Sequence, residues 1–139
     1  MNGDPAPPAP PERKRPPSRL DFPKARRLRK RRDFLRIQEK SARVTTHHFV
    51  LLIAARPVPG PTRLGIVASK KIGGAAARNR TKRLLREAFR TRPALFPAGV
   101  DLVVIARPGA PELTLPVVCR EVEAVAPVLA RRAREVTRK

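Results

Sequence analysis

Between residues 63 and 90 the spacing of apolar side chains changes from every second residue to a helical repeat, and the change falls across Gly73-Gly74. In residues 63–71 (RLGIVASKK), Leu64, Ile66 and Ala68 lie on one side, and Arg63, Gly65, Val67, Ser69 and Lys71 on the other. This alternation predicts a strand. Residues 75–92 then predict a helix that Pro93 stops, because proline has no amide donor and clashes with the preceding turn. At roughly 100° per residue, Ala77, Thr81, Leu84, Leu85, Ala88 and Phe89 share an arc of roughly 140°. Arg78, Arg80, Lys82, Arg83, Arg86 and Arg90 are assigned to the other side, with Glu87 as the single acid. A strand and a helix that each carry one apolar face must pack on a common core. The cationic side is left facing outward.

The remaining chain supplies that core. Residues 44–55 (VTTHHFVLLIAA) and 100–106 (VDLVVIA) are β-branched and apolar, and predict strands. Residues 56–62 and 107–116 hold prolines and glycine and predict loops. A first helix is expected over 24–40, with Leu28, Phe34, Leu35 and Ile37 among many arginines. A last one is expected over 117–139, with Val118, Val122, Val125, Val128, Leu129 and Ala133 as its apolar residues. Pro127 predicts a kink there or two shorter helices. Pro5, Pro7, Pro8, Pro10, Pro11, Pro16, Pro17 and Pro23 crowd the first 23 residues, which are therefore expected to form a disordered, partly extended tail. The folded domain is expected to run from 24 to 136. The order α-β-β-α-β-α places the chain in the α+β class.

Charge narrows the function. The chain has 32 Lys and Arg against 11 Asp and Glu, a net +21 in 139 residues. Solubility asks for a net charge of only about 2–8, so a polyanionic partner is implied, nucleic acid first and an anionic membrane second. Lys70-Lys71-Ile72-Gly73-Gly74 adds a basic strand end, a turn and the amides of a helix N-terminus, which attract anions. The glycine spacing is not that of a P-loop. Arginine dominates the cationic face, and its planar fork can grip phosphate twice. Asn79 adds an amide that both donates and accepts. Cys119 is the single cysteine, so no internal disulfide and no cysteine-based metal site can form. It reads as a packing residue. His47 and His48 are adjacent in a strand and point to opposite faces, a poor arrangement for a shared metal ion. Asp33, Glu87 and Asp101 are isolated in the sequence. No metal site is expected on the protein. No apolar run reaches the roughly 20 residues of a membrane span, and no secretory signal is visible. A cytoplasmic location is expected.

The run from Arg63 to Glu87 closely resembles the signature of the bacterial ribonuclease P protein subunit, R-x-G-x-x-x-S-K-K, a short Gly turn, then R-N-R-x-K-R-x-x-R-E. Arg32-Asp33-Phe34 and Val103-Val104-Ile105-Ala106-Arg107 resemble it too, and the likeness covers about residues 26–135. The resemblance implies an α-β-β-β-α-β-α sandwich, a four-stranded sheet packed with three helices and a left-handed βαβ crossover. The fourth strand would come from splitting 44–55 or from a segment near it. The resemblance also implies a function. The RNA subunit is the catalyst, and Mg2+ bound mainly by that RNA activates water to cut the 5′ leader from precursor tRNA. Arg63, Lys70, Lys71, Arg78, Asn79, Arg80, Lys82, Arg83, Arg86 and Arg90 are then expected as RNA contacts. Phe34, Arg32, Phe49 and Ser69 are expected to line a cleft for the leader. Neither DNA nor membrane is an expected partner. The chain departs from the family where further aromatics are common, with Gln38 and Leu52 in their places and Phe49 as the compensating ring. Gly74 stands where Asn or Lys is common. A structural RNA-binding protein of ribosomal type, without a role in tRNA processing, is the alternative. A protein-only nuclease is a third reading, and it would need acids or histidines around metal.

Overall fold

A computed structural model of the chain describes residues 27–28 and 31–137, so the proline-rich tail expected over 1–23 lies outside the described residues. Along the chain run α1 (Arg31–Glu39), β1 (Ala42–Thr45), β2 (Phe49–Ala55), β3 (Arg63–Val67), α2 (Ala75–Thr91), β4 (Val100–Ala106) and α3 (Leu115–Thr137). Short 3-10 turns occupy Lys70–Ile72, Pro93–Leu95 and Ala110–Glu112. The strands form one sheet in the order β1-β2-β4-β3. β2 is antiparallel to β1 and β4, whereas β3 and β4 are parallel and joined through α2.

Both faces of this sheet are apolar. On one, Leu51, Ile53, Leu64, Leu102 and Val104 pack with Leu85 and Phe89 of α2 and with Val118, Val122 and Leu129 of α3. On the other, Val50, Leu52, Ala54 and Val103 pack with Ile37 of α1 and with Leu28. Strands buried on both faces read as continuous apolar runs, and β2 does so, as does β4 apart from the buried Asp101. The alternation expected in β3 holds: Leu64 and Ile66 join the first core, and Val67 joins the second.

The first helix is shorter than its pattern suggests. It starts at Arg31, and Arg27 and Leu28 instead run along the outer edge of β3. The Leu28 amide donates to the Leu64 carbonyl at 2.8 Å. Pairing there satisfies backbone groups that an edge strand would leave open and buries the Leu28 side chain. The last helix runs unbroken through Pro127, so the two shorter helices do not form. Pro127 is exposed, and the carbonyl it leaves without a helical donor belongs to Glu123, which is also exposed and can be hydrated.

The expected long strand 44–55 is a hairpin, β1 and β2, and it supplies the fourth strand. The turn residues Thr46, His47 and His48 include no Gly, Pro, Asn or Asp. Thr46 closes the turn on Phe49, accepting its amide on Oγ1 at 3.1 Å and donating its own amide to the Phe49 carbonyl at 2.7 Å, and α3 ties it down from outside. Glu121 of α3 accepts hydrogen bonds from Thr46 Oγ1 (2.6 Å), the His48 amide (2.6 Å) and His48 Nδ1 (2.8 Å). Burial pushes the Glu121 carboxyl up, but these hydrogen bonds and the His48 charge outweigh it and hold the group below its ordinary 4.5. A carboxylate with a depressed pKa adds stability above its unfolded value and loses it as pH falls through the folded one. Glu121→Gln should therefore lower stability by about 1–3 kcal/mol near neutral pH. In denaturant melts the gap to the parent should shrink as pH drops below 4.5.

Gly65 is required by close approach. A Cβ there would meet Phe34 Cζ at 2.8 Å and Leu28 Cβ at 3.0 Å. Gly65→Ala should displace the Phe34 ring and cost about 1–3 kcal/mol by overpacking. Phe34→Leu in the same background should recover part of that loss in equilibrium unfolding.

Candidate nucleic-acid interface

The cationic helix α2 is fixed at both ends. β3 stops at Val67 rather than continuing to Lys71, and Lys70–Ile72 forms a 3-10 turn in which Ser69 Oγ accepts from the Lys71 amide. Ile72 is buried and pins this turn to the core. Gly73 adopts φ 143°, which L residues rarely take, and a Cβ there would lie 2.8 Å from Ala77 Cβ. Gly74 is the N-cap and gives no side-chain bond, and no acid stands in the first turn. At the other end the Arg92 amide closes on Ala88 O at 2.9 Å before Pro93. Thr81, Leu85, Ala88 and Phe89 are buried, as their spacing predicts.

The polar side chains of α2 and the turn before it fall into four settings. Asn79 and Arg83 are exposed, and Lys70 and Lys71 are exposed on the turn before the helix. Arg80 is exposed too, but its guanidinium donates to the carbonyls of Pro111 (2.7 Å) and Leu113 (3.1 Å) and so ties α2 to the loop after β4. Arg90 is ion-paired with Glu87, whose carboxyl is held below its ordinary range by that partner. Arg78, Lys82 and Arg86 are half-buried on one flank. Arg78 lies at the border of the apolar arc, not opposite it, and its Nε is buried without a partner. Burial lowers the Arg86 pKa, and the nearby charge of Arg27 lowers it further. Cations held beside one another with a single acid among them repel, and phosphate oxygens relieve that repulsion.

A second surface lies on the opposite side of the sheet. Strand register sets Thr45, Val50, Ile105 and Val67 in one row, and Arg43, Leu52, Val103 and Gly65 in the next. α1 is only 9 residues long, and beside it Val67, Ile105 and Phe34 of this face are half-buried, whereas Val50, Leu52 and Val103 are buried. Phe34 is half-buried against Gly65, Arg32 is exposed on α1, and Ser69 is exposed just past β3. These three stand around that face. Phe49 does not join them. It is 1 % exposed in the core under α2 and α3, because its side chain points to the opposite face from Val50. It is a packing residue, and the expectation of a compensating cleft ring is corrected. Arg43 is exposed in the second row, a cation that becomes visible as a cleft residue only once the register is known.

Arg63 is also reassigned. Its Nε and Nη2 donate to Asp101 Oδ1 and Oδ2 at 2.8 and 2.7 Å, and this hydrogen bonding raises its pKa against the effect of burial. Arg36 of α1 donates to the same carboxylate at 2.5 Å. Asp101, isolated in the sequence, is thus the centre of an ion cluster. Arg63 serves the fold and is not a free RNA contact.

A mixed sheet with three helices and a cationic helix face describes an α+β RNA-binding protein. The family model Ribonuclease P matches residues 22–138. The ribonuclease P protein component of Syntrophus aciditrophicus is 41% identical over 103 residues, covering 74% of this chain and 86% of that protein. The one from Desulfovibrio desulfuricans is 36% identical over 116 residues, covering 83% and 88%. Among solved structures, the RNase P protein of Staphylococcus aureus superposes with a TM-score of 0.67 at 35% identity, covering 76% of this chain and 95% of that one. That of Thermotoga maritima gives 0.64 at 36%, covering 76% and 96%. The chain belongs to the ribonuclease P protein component family. It is the protein subunit of an endoribonuclease complex, and its partner is the ribonuclease P RNA. The ribosomal-type alternative is not favoured.

These settings rank the α2 cations. Lys82→Ala with Arg83→Ala should weaken RNA binding and reduce the salt slope of log K by about 0.7–0.9 for each phosphate that is no longer neutralised. Titrations of the RNA at several salt concentrations measure it, and an unchanged slope would show that these side chains meet no phosphate.

Proposed function

We propose that this chain grips the ribonuclease P RNA with the outer edge of α2 and holds the 5′ leader of precursor tRNA, as a single strand, on the half-buried apolar strip beside α1. The RNA then performs the cleavage with its own Mg2+. The observation that carries this reading is the division of the surface. Lys70, Lys71, Asn79, Lys82 and Arg83 lie on the side of α2, where a charged duplex backbone can be met by phosphate contacts alone. The half-buried Val67, Ile105 and Phe34 lie across the sheet, where unpaired bases can rest on apolar and aromatic surface. Arg32 and Arg43 flank this strip and suit the leader's phosphates.

The acids of the described residues do not fit a resident metal. They form no group of three or more with histidine or cysteine. Asp101 is occupied by two arginines and Glu121 by the β1–β2 turn. No helix among the described residues is long and apolar enough to cross a membrane. We place the complex in the cytoplasm, with precursor tRNA and not DNA as its substrate.

The test is cleavage of precursor tRNA by the RNA subunit with and without this protein at low Mg2+. The protein should lower the Mg2+ concentration needed for leader removal. It should cleave nothing without the RNA. Absence of stimulation would overturn the proposal, and cleavage by the protein alone would move the chemistry onto this chain.

A further inference from the structure

Among the described residues, Asp101 is the one charged side chain that is fully buried, at 0 % exposure. It sits in β4, between β2 and β3, and register sets it beside Ala54 and Arg63. Its carboxylate takes both arms of Arg63 and one arm of Arg36, and the other arm of Arg36 donates to Ala55 O at 3.1 Å. Asp33, one helical turn before Arg36, lies 3.8 Å from it. A buried ion cluster of this kind adds little net stability, because desolvation offsets much of the attraction, but it is directional.

α1 needs direction. Helices shorter than about 12–15 residues are marginal on their own, and this one has 9. Its apolar hold is Ile37, fully buried, and Phe34, half-buried on Gly65. Apolar contact is non-directional, and the directed hold on Leu28, whose amide donates to Leu64 O, lies before the helix and not within it. Arg36 on Asp101 supplies the directed hold within the helix.

We propose that Asp101 and Arg36 form a positioning clamp that fixes the tilt of α1 over the sheet and so sets the width of the strip that receives the leader. Asp101 is a positioning residue that acts through α1 and touches no RNA. The role in leader binding rests on the function proposed above, whereas the hold on α1 does not.

The experiment uses the full chain reconstituted with its RNA, and two precursor tRNAs, one with a long leader and one with the leader cut back to a single nucleotide. Arg36→Met removes the α1 arm and leaves the Arg63–Asp101 pair in place. It should raise KM for the long-leader substrate by about tenfold. It should leave kcat, the short-leader KM and the Kd for the RNA subunit unchanged. Arg36→Lys, which keeps the charge but not the fork, should fall between. Asp101→Asn should show the same leader-specific loss. In the free protein, hydrogen exchange of the α1 amides should quicken about tenfold in Arg36→Met, while the strands stay protected.

Unchanged α1 exchange would overturn the clamp. So would an equal loss on both substrates, or melting of the whole sheet together with α1, because the clamp would then stabilise the fold in general. If α1 loosens in the variant but even the parent protein does not distinguish the two leaders, the clamp stands and the leader reading fails.

Discussion

The sheet is apolar on both faces, and among the described residues the two faces are covered unequally. α2 and α3 close the first face around Leu51, Ile53, Leu102 and Val104. The 9 residues of α1 close part of the second. Beside that short helix Phe34, Val67 and Ile105 stay half-buried, and in the function proposed above they are what meets a ligand with apolar faces of its own. Bases that are not paired have such faces. The shape of the second surface therefore follows from an imbalance in cover.

The same imbalance separates two kinds of recognition. α2 is well supported from below, by Leu85, Ala88 and Phe89, and can hold a dense row of cations at its outer edge without losing its place. That edge reads charge and spacing. α1 is poorly supported and depends on directed contacts, the Arg36–Asp101 pair and the fit of Phe34 over Gly65. The arginines are divided accordingly. Arg63 and Arg36 face a buried carboxylate, Arg80 holds carbonyls of a neighbouring loop, and Arg83 remains exposed. A count of positive charges treats these alike, although their partners differ.

Much of the fold was legible because its strongest signals are periodic and local. β4 falls on the predicted residues, and α2 differs only at its last residue. The alternation in β3 sorted its side chains between the two cores correctly. The hairpin at Thr46 to His48 was not legible, since its only local signal is a threonine hydroxyl that takes the Phe49 amide, and the carboxylate that ties the turn down comes from Glu121, far away in sequence. The helical pattern over residues 27 and 28 misled for a related reason. The open edge of β3 offered a partner that local spacing does not reveal.

By itself, the sequence determined the α+β class, the cationic helix, the polyanionic partner and the family signature between Arg63 and Glu87. Each of these depends on periodicity, composition or a contiguous motif. Only the tertiary structure decided which side chains share a site. It turned Phe49 into the core, bound Arg63 to Asp101, and set Arg43 on the face that Phe34 borders. Those outcomes depend on strand order and register. They bring together residues tens of positions apart, and no local pattern encodes that proximity.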